Sequence, residues 1–357
     1  MSRPHTFALW FRKNTEKTSV KLGLAIAFLS LCGMSGKDPA IDSEARDTNW
    51  EVAIDPHRVM GVESCEKCHS NEIQIWKQTP HSETFFTLHR KPAAQQIASK
   101  MGIASFKTDS NCIQCHYTMR EEGSKLEAIS GVSCESCHGP SKDWLTVHND
   151  YGGAGITKAQ ESPEHRLKRL NQSIKAGMRN PVNVYLVAQS CYRCHTVPDE
   201  KLVNVGGHAA GSLDFEIVSW SQGTVRHNFH RADGKANVEE SPERLRLMFV
   251  AGMIADLESS MRATSKATEK ATFGVTSAKR TSRAAERLKS AQSKLQLPIL
   301  DEILDLFGSV QLKLSNKEQL AEAADKINHL GLRFAATVDG ASLVAIDPFV
   351  PKKDKWK

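Results

Sequence analysis

Four copies of Cys-x-x-Cys-His punctuate the middle of this chain: Cys65-Cys68-His69, Cys112-Cys115-His116, Cys134-Cys137-His138 and Cys191-Cys194-His195. Two thiols three positions apart reach the two vinyl groups on one edge of a porphyrin, and the histidine that follows swings under the ring to bind iron. Each motif therefore predicts one covalently attached haem c, four in all. Zinc is the rival use of paired cysteines. It would merge two motifs into one site and would not require a histidine directly after every second cysteine. Disulfides fit less well still.

This load of cofactor bears on the fold. Aromatic residues make up only 6% of the 357 residues, and the central third is poor in long apolar runs. Porphyrins are large flat apolar bodies that stand in for missing side chains in a core. The expectation is a mainly α protein: short helices and loops around four stacked haems, little sheet, and a C-terminal helical bundle.

Eight of the nine cysteines belong to the motifs, leaving Cys32 at the end of the apolar run Leu22–Leu31. Arg12, Lys13, Lys17 and Lys21 precede that run. A basic stretch followed by about ten apolar residues has the build of a signal peptide and is too short to span a bilayer. Residues 1–35 are read as a signal peptide or N-terminal anchor, which places the chain in the periplasm or facing it. Cleavage after Ser35 discards Cys32, whereas lipidation would make Cys32 the new N-terminus. Leu31 fits poorly with a lipidation site, so cleavage is favoured. Retention as an uncleaved segment is the third outcome.

The net charge of +6 overstates the basicity of an exported protein. Removing residues 1–35 takes away five cations and one anion and leaves +2. Haem propionates add further negative charge. Nucleic acid is excluded as a partner on this balance; local charged patches for redox proteins are not.

Residues 36–58 read as a polar linker, 59–231 as the tetrahaem domain and 232–357 as a C-terminal helical domain. The motifs are unevenly spaced, so a string of repeated modules is not expected. Past residue 231 cysteine is absent and helical periodicity takes over. Ser241-Pro242-Glu243 opens one helix, with Leu245, Met248, Val250, Met253 and Leu257 on its apolar face. Ser315 and Glu318 form a capping box for another, and two more helices lie at about 278–295 and 298–310. The bundle shields haem edges or offers a docking surface; periodicity does not separate the two.

The motifs supply His69, His116, His138 and His195 as proximal ligands. A distal histidine gives a saturated, low-potential carrier, a distal methionine raises the potential, and an empty position permits chemistry. His5, His57 and His329 lie outside the motif region, and His89 and His165 sit in charged stretches that read as solvated. His81, His148, His208, His227 and His230 remain as candidates. Trp76, Trp144 and Trp220 read as packing residues first and porphyrin neighbours second.

The run "CEKCHSNEIQIWKQTPH", Cys65 to His81, and "GVSCESCHGP" followed by His148, resemble the tetrahaem cytochrome c554 family over residues 60–231. The resemblance is specific at the first and third motifs and weaker at the second and fourth. It implies mostly helical haem regions with closely stacked haems. It also implies distal roles for His81, His148 and one of His227 or His230, with haems exchanging ligands across motifs, so pairings stay open. In that family the haem of the second motif is five-coordinate. Here His208, in "NVGGH", is a spare candidate for that position, and its glycines would allow close approach to a porphyrin.

The leading expectation is a periplasmic electron carrier between a donor and an acceptor redox protein, such as a hydroxylamine-oxidising enzyme and a membrane quinone-linked cytochrome. A haem enzyme acting on nitric oxide or hydroxylamine at an open second-motif haem is the alternative. A membrane-anchored quinol dehydrogenase is the third reading.

Overall fold

The computed structural model describes residues 54–108 and 111–357; the expected signal peptide and most of the linker lie outside the described residues. The chain is mainly α. In order it forms α1 (Glu63–Trp76), α2 (Pro80–Thr87), α3 (Pro92–Met101), α4 (Ile113–His116), β1 (Thr118–Glu122), β2 (Lys125–Ser130) and α5 (Cys134–His138). There follow α6 (Pro163–Lys175), α7 (Val184–His195), α8 (Glu200–Asn204) and α9 (Ile217–Ser221). Four more helices follow: α10 (Pro242–Ser265), α11 (Thr272–Leu295), α12 (Pro298–Gly308) and α13 (Lys317–Thr337). Among the described residues no helix is long and apolar enough to cross a membrane.

Local sequence sets most helix starts. Thr79-Pro80, Ser162-Pro163 and Ser241-Pro242 each put a hydroxyl at the N-cap, where it accepts a free amide, and a proline where no amide is needed. Asn183 caps α7 in the same way. The one sheet among the described residues is the antiparallel hairpin β1–β2, turning at Gly123, where φ is +63°. It joins the second motif to the third.

The C-terminal helices bear out the periodicity, with two corrections. Ser241 caps α10 as expected, but Ser315 does not cap α13. Its φ of +54° turns its backbone left-handed, its amide is spent on the carbonyl of Ala267, and Asn316 takes the cap position. The helix expected at about 278 begins at Thr272. α10 is buried without interruption from Met248 to Ser265, not on one face alone. It is the axis of the bundle, packed against α7, α9, α11 and α13.

The main apolar core, from Ile174 to Ile346, runs through α7, α9 and α10–α13. The fully buried carboxylate of Glu258 is satisfied inside it. Glu258 accepts from Tyr185 Oη (2.6 Å), from Gln189 Nε2 (3.0 Å) and from Arg262 Nε (2.9 Å), which ties α10 to α7. Because α7 ends in the fourth motif, the helical core is continuous with one of the cysteine-histidine sites.

Candidate functional site

Each motif lies at a helix end or kink. Positions i, i+3 and i+4 share one helical face, so both sulfurs and the histidine of a motif project together. α4, α5 and α7 end on His116, His138 and His195, and α1 kinks at His69, whose φ and ψ are −117° and 35°. At the third motif the chain leaves through Gly139, with φ +86°, where a Cβ would stand 2.3 Å from the carbonyl of Gly177. Only glycine allows that passage. Beside it the amide of Arg179 donates to the His138 carbonyl at 2.8 Å.

The histidines come together in pairs. His81 faces His195 at 6.3 Å between ring centres, His208 faces His116 at 6.4 Å, and His227 faces His138 at 6.2 Å. His69 has two partners, His148 at 6.4 Å and His230 at 6.2 Å. Metal–imidazole bonds of about 2 Å on both sides of one ion separate the bonded nitrogens by about 4 Å and the ring centres by about 6.3 Å. Four distinct motif histidines thus each face a candidate ring at the spacing that fits an iron between them.

Protonation and orientation agree with this arrangement. Burial lowers the pKa of His116, His138 and His195 to about 4 each, helped chiefly by His208, His227 and His81 respectively. Burial also lowers His81, His148 and His230. These imidazoles are neutral at pH 7, the form that binds metal. On the distal side Nδ1 lies 2.7 Å from a main-chain carbonyl in three cases: Leu145 for His148, Ala209 for His208 and Val225 for His227. A donor bond at Nδ1 fixes the tautomer and leaves Nε2 as the free ligand.

The motifs themselves adjoin in a definite order. The Cys65 thiol is hydrogen-bonded with that of Cys134, which pushes the first down and the second up, and Cys194 and Cys115 form the corresponding pair. Cys137 lies within electrostatic reach of Cys191 and Cys194. The sites therefore run first, third, fourth, second.

Comparison with known proteins finds a likeness around the first three motifs. The family model described as "Cytochrome c554 and c-prime" matches residues 64–139. Over those residues the chain is similar to that family. A curated relative, cytochrome c-554 of Nitrosomonas europaea, is 29% identical over 120 residues, covering 31% of this chain and 51% of the relative. The chain thus spans about half the length of the curated relative that it matches. No solved structure matches. Similarity to that family implies covalently bound haem c.

Several positioning residues around the motifs escaped the sequence reading. Glu135, inside the third motif, is 1% exposed. Its carboxylate accepts the amides of Met60 (2.9 Å), Gly61 (2.8 Å) and Ser141 (2.8 Å), so it docks the approach to the first motif onto the third. Trp76, read from the sequence as a packing residue, does related work, donating from Nε1 to the Val132 carbonyl at 2.8 Å. Thr84 donates to the His116 carbonyl at 2.8 Å, which fastens α2, and with it His81, beside the second motif. Phe215 stacks on the His195 ring at 4.0 Å. In sequence a buried glutamate or threonine looks like a solvated one; position inside a motif was the sole signal, for Glu135.

Gly206 and Gly207 close α8. A Cβ on Gly206 would meet the Leu202 carbonyl at 2.5 Å, Gly207 has φ +77°, and the His208 amide bonds back to the Leu202 carbonyl at 3.1 Å. The turn delivers His208 to His116. His165 is engaged elsewhere, with Nδ1 2.9 Å from Glu161 Oε1, and His57 pairs with Glu121.

Proposed function

We propose that this protein is an exported electron carrier holding four haem c groups, each ligated by two histidines. The observation that carries this reading is the set of four motif histidines each facing a candidate distal ring at 6.2–6.4 Å. Bound haem supplies one-electron exchange between ferric and ferrous iron, at a potential that the axial ligands and surroundings set. The chain's own residues attach, orient and space the groups. Cys65 and Cys68, Cys112 and Cys115, Cys134 and Cys137, and Cys191 and Cys194 give the thioether links. His195 is served by His81, His116 by His208, His138 by His227, and His69 by His148.

His148 is preferred to His230 at the first site because its ring is fixed, by the bond to Leu145 and by Trp144 at 5.2 Å edge-on. His208 opposite His116 speaks against an open position at the second motif and so against the enzyme reading. The order of the sites, with the first and second at the ends, supports entry and exit at opposite ends of a wire. Donor and acceptor are taken to be exported redox proteins, a hydroxylamine-oxidising enzyme and a quinone-linked cytochrome being the classes that the family resemblance suggests.

Carbon monoxide binding to the reduced protein tests the reading. Wild type is expected to bind almost none, and His208→Ala about one equivalent per chain, with a high-spin ferric signal appearing by EPR. Substantial binding by wild type, unchanged in His208→Ala, would refute the ligation proposed for the second motif.

A further inference from the structure

The C-terminal helices place a buried ion pair against the fourth motif. Asp256 on α10 and Arg280 on α11 are 3% and 4% exposed, and Arg280 Nε donates to Asp256 Oδ1 at 2.7 Å. Arg280 Nη1 donates to the Ser212 carbonyl and lies 3.4 Å from the carbonyl of His195. Its Nη2 is buried and has no hydrogen-bond partner. Asp256 also accepts from Ser260 Oγ at 3.1 Å, and Arg287 stands 3.8 Å away. Tyr192, inside the same motif, lies 5.7 Å from the Arg280 guanidinium.

A buried guanidinium leaves few donors idle, because each unpaired N–H there is costly. The idle donor beside His195 is of the type that pairs with a carboxylate, and a haem brings two. The charge matters as much as the bond. In a site shielded from water, a nearby cation favours the reduced, less positive iron, and a carboxylate opposes it.

We propose that Asp256 and Arg280 are a matched pair of positioning residues that set the reduction potential of the fourth-motif centre. Arg280 holds the His195 main chain and raises the potential, while Asp256 holds Arg280 and limits that rise. The inference rests on the reading of this chain as a tetrahaem carrier, and it gives the C-terminal helices a part in the redox chemistry.

Potentiometric titration of the holoprotein, followed by EPR, tests it. The fourth-motif signal is the one altered by His81→Met. Arg280→Gln is expected to make that centre harder to reduce, by at least tenfold in the redox equilibrium, or about 59 mV for one electron. Asp256→Asn is expected to shift it by a similar factor in the opposite direction, and Arg280→Lys, which keeps the charge, to stay near wild type. Opposite signs separate a charge effect from simple loosening, which would move both variants alike. Should Arg280→Gln not fold, Asp256→Asn and Arg280→Lys carry the test between them. Four haems with potentials unmoved, or moved in one direction by both substitutions, would overturn this proposal alone. A wild-type protein without haem at the fourth motif would overturn it together with the carrier reading.

Discussion

The described region before Leu170 and the helical core of α7 and α9–α13 are held together by different means. Among the described residues before Leu170 the buried apolar side chains are only Val59, Ile73, Ala98, Tyr117, Met119 and Trp144, spread over more than a hundred residues. From Met248 onward α10 is buried turn after turn, and Leu257, Leu288, Ile303 and Ile327 meet around it. The first region instead concentrates paired thiols and facing imidazoles. It is shaped around something that its own side chains do not supply, whereas the second fills its core unaided. The difference teaches that low aromatic content in a chain of this length points to a cofactor-built interior in one part, not to a weak interior throughout.

The comparison breaks most directly if the first region folds without its cofactor. Expressed without haem attachment, residues 54–169 are expected to be digested rapidly by trypsin while the helical signal of α10–α13 persists. Equal resistance of both regions would erase the contrast. Next in size is Leu257→Ala, which should cost about 2–5 kcal/mol in the bundle core. Denaturant melts should show that loss while the visible spectrum keeps its wild-type form. Glu135→Gln should cost about 1–3 kcal/mol by weakening the bonds to the 60–61 amides. Hydrogen exchange should then rise at 60–64 and 141 and stay unchanged in α10.

The smallest expected effect concerns the segment that carries His148. Arg169, first, and His165 hold the Glu161 carboxyl below its ordinary value, and Arg169 also donates to the His148 carbonyl at 2.6 Å. A carboxyl lowered on folding adds stability above pH 4.5, and that contribution is lost as pH falls through the lower folded value. Acid titration should therefore loosen the His148 environment below pH 4.5 in wild type, and Glu161→Gln should remove that pH dependence. A Glu161→Gln curve superimposable on wild type would dismiss the role.

How much of this was legible follows from where each property is encoded. Attachment chemistry is local, so eight cysteines and four proximal histidines stand in the sequence outright. The starts of α10 and α12 were legible for the same reason, Ser-Pro and Pro being local signals, while Ser315 misled because a long-range bond to Ala267 turned its backbone. The facing pair His81 and His195 joins residues more than a hundred positions apart, which spacing does not reveal. Family resemblance suggested which histidines to watch, yet the pairing and the site order needed the fold. The Asp256–Arg280 pair was hidden for a further reason: on an amphipathic helix a charged residue reads as solvated until its burial is seen.

The central claim is that the eight paired sulfurs carry tetrapyrroles. Intact mass spectrometry of mature, denatured protein tests it most directly, since thioether links survive unfolding. The account predicts a polypeptide heavier by four haems with no thiol in the motifs open to alkylation. A mass equal to the bare polypeptide, with eight alkylated cysteines, would contradict it.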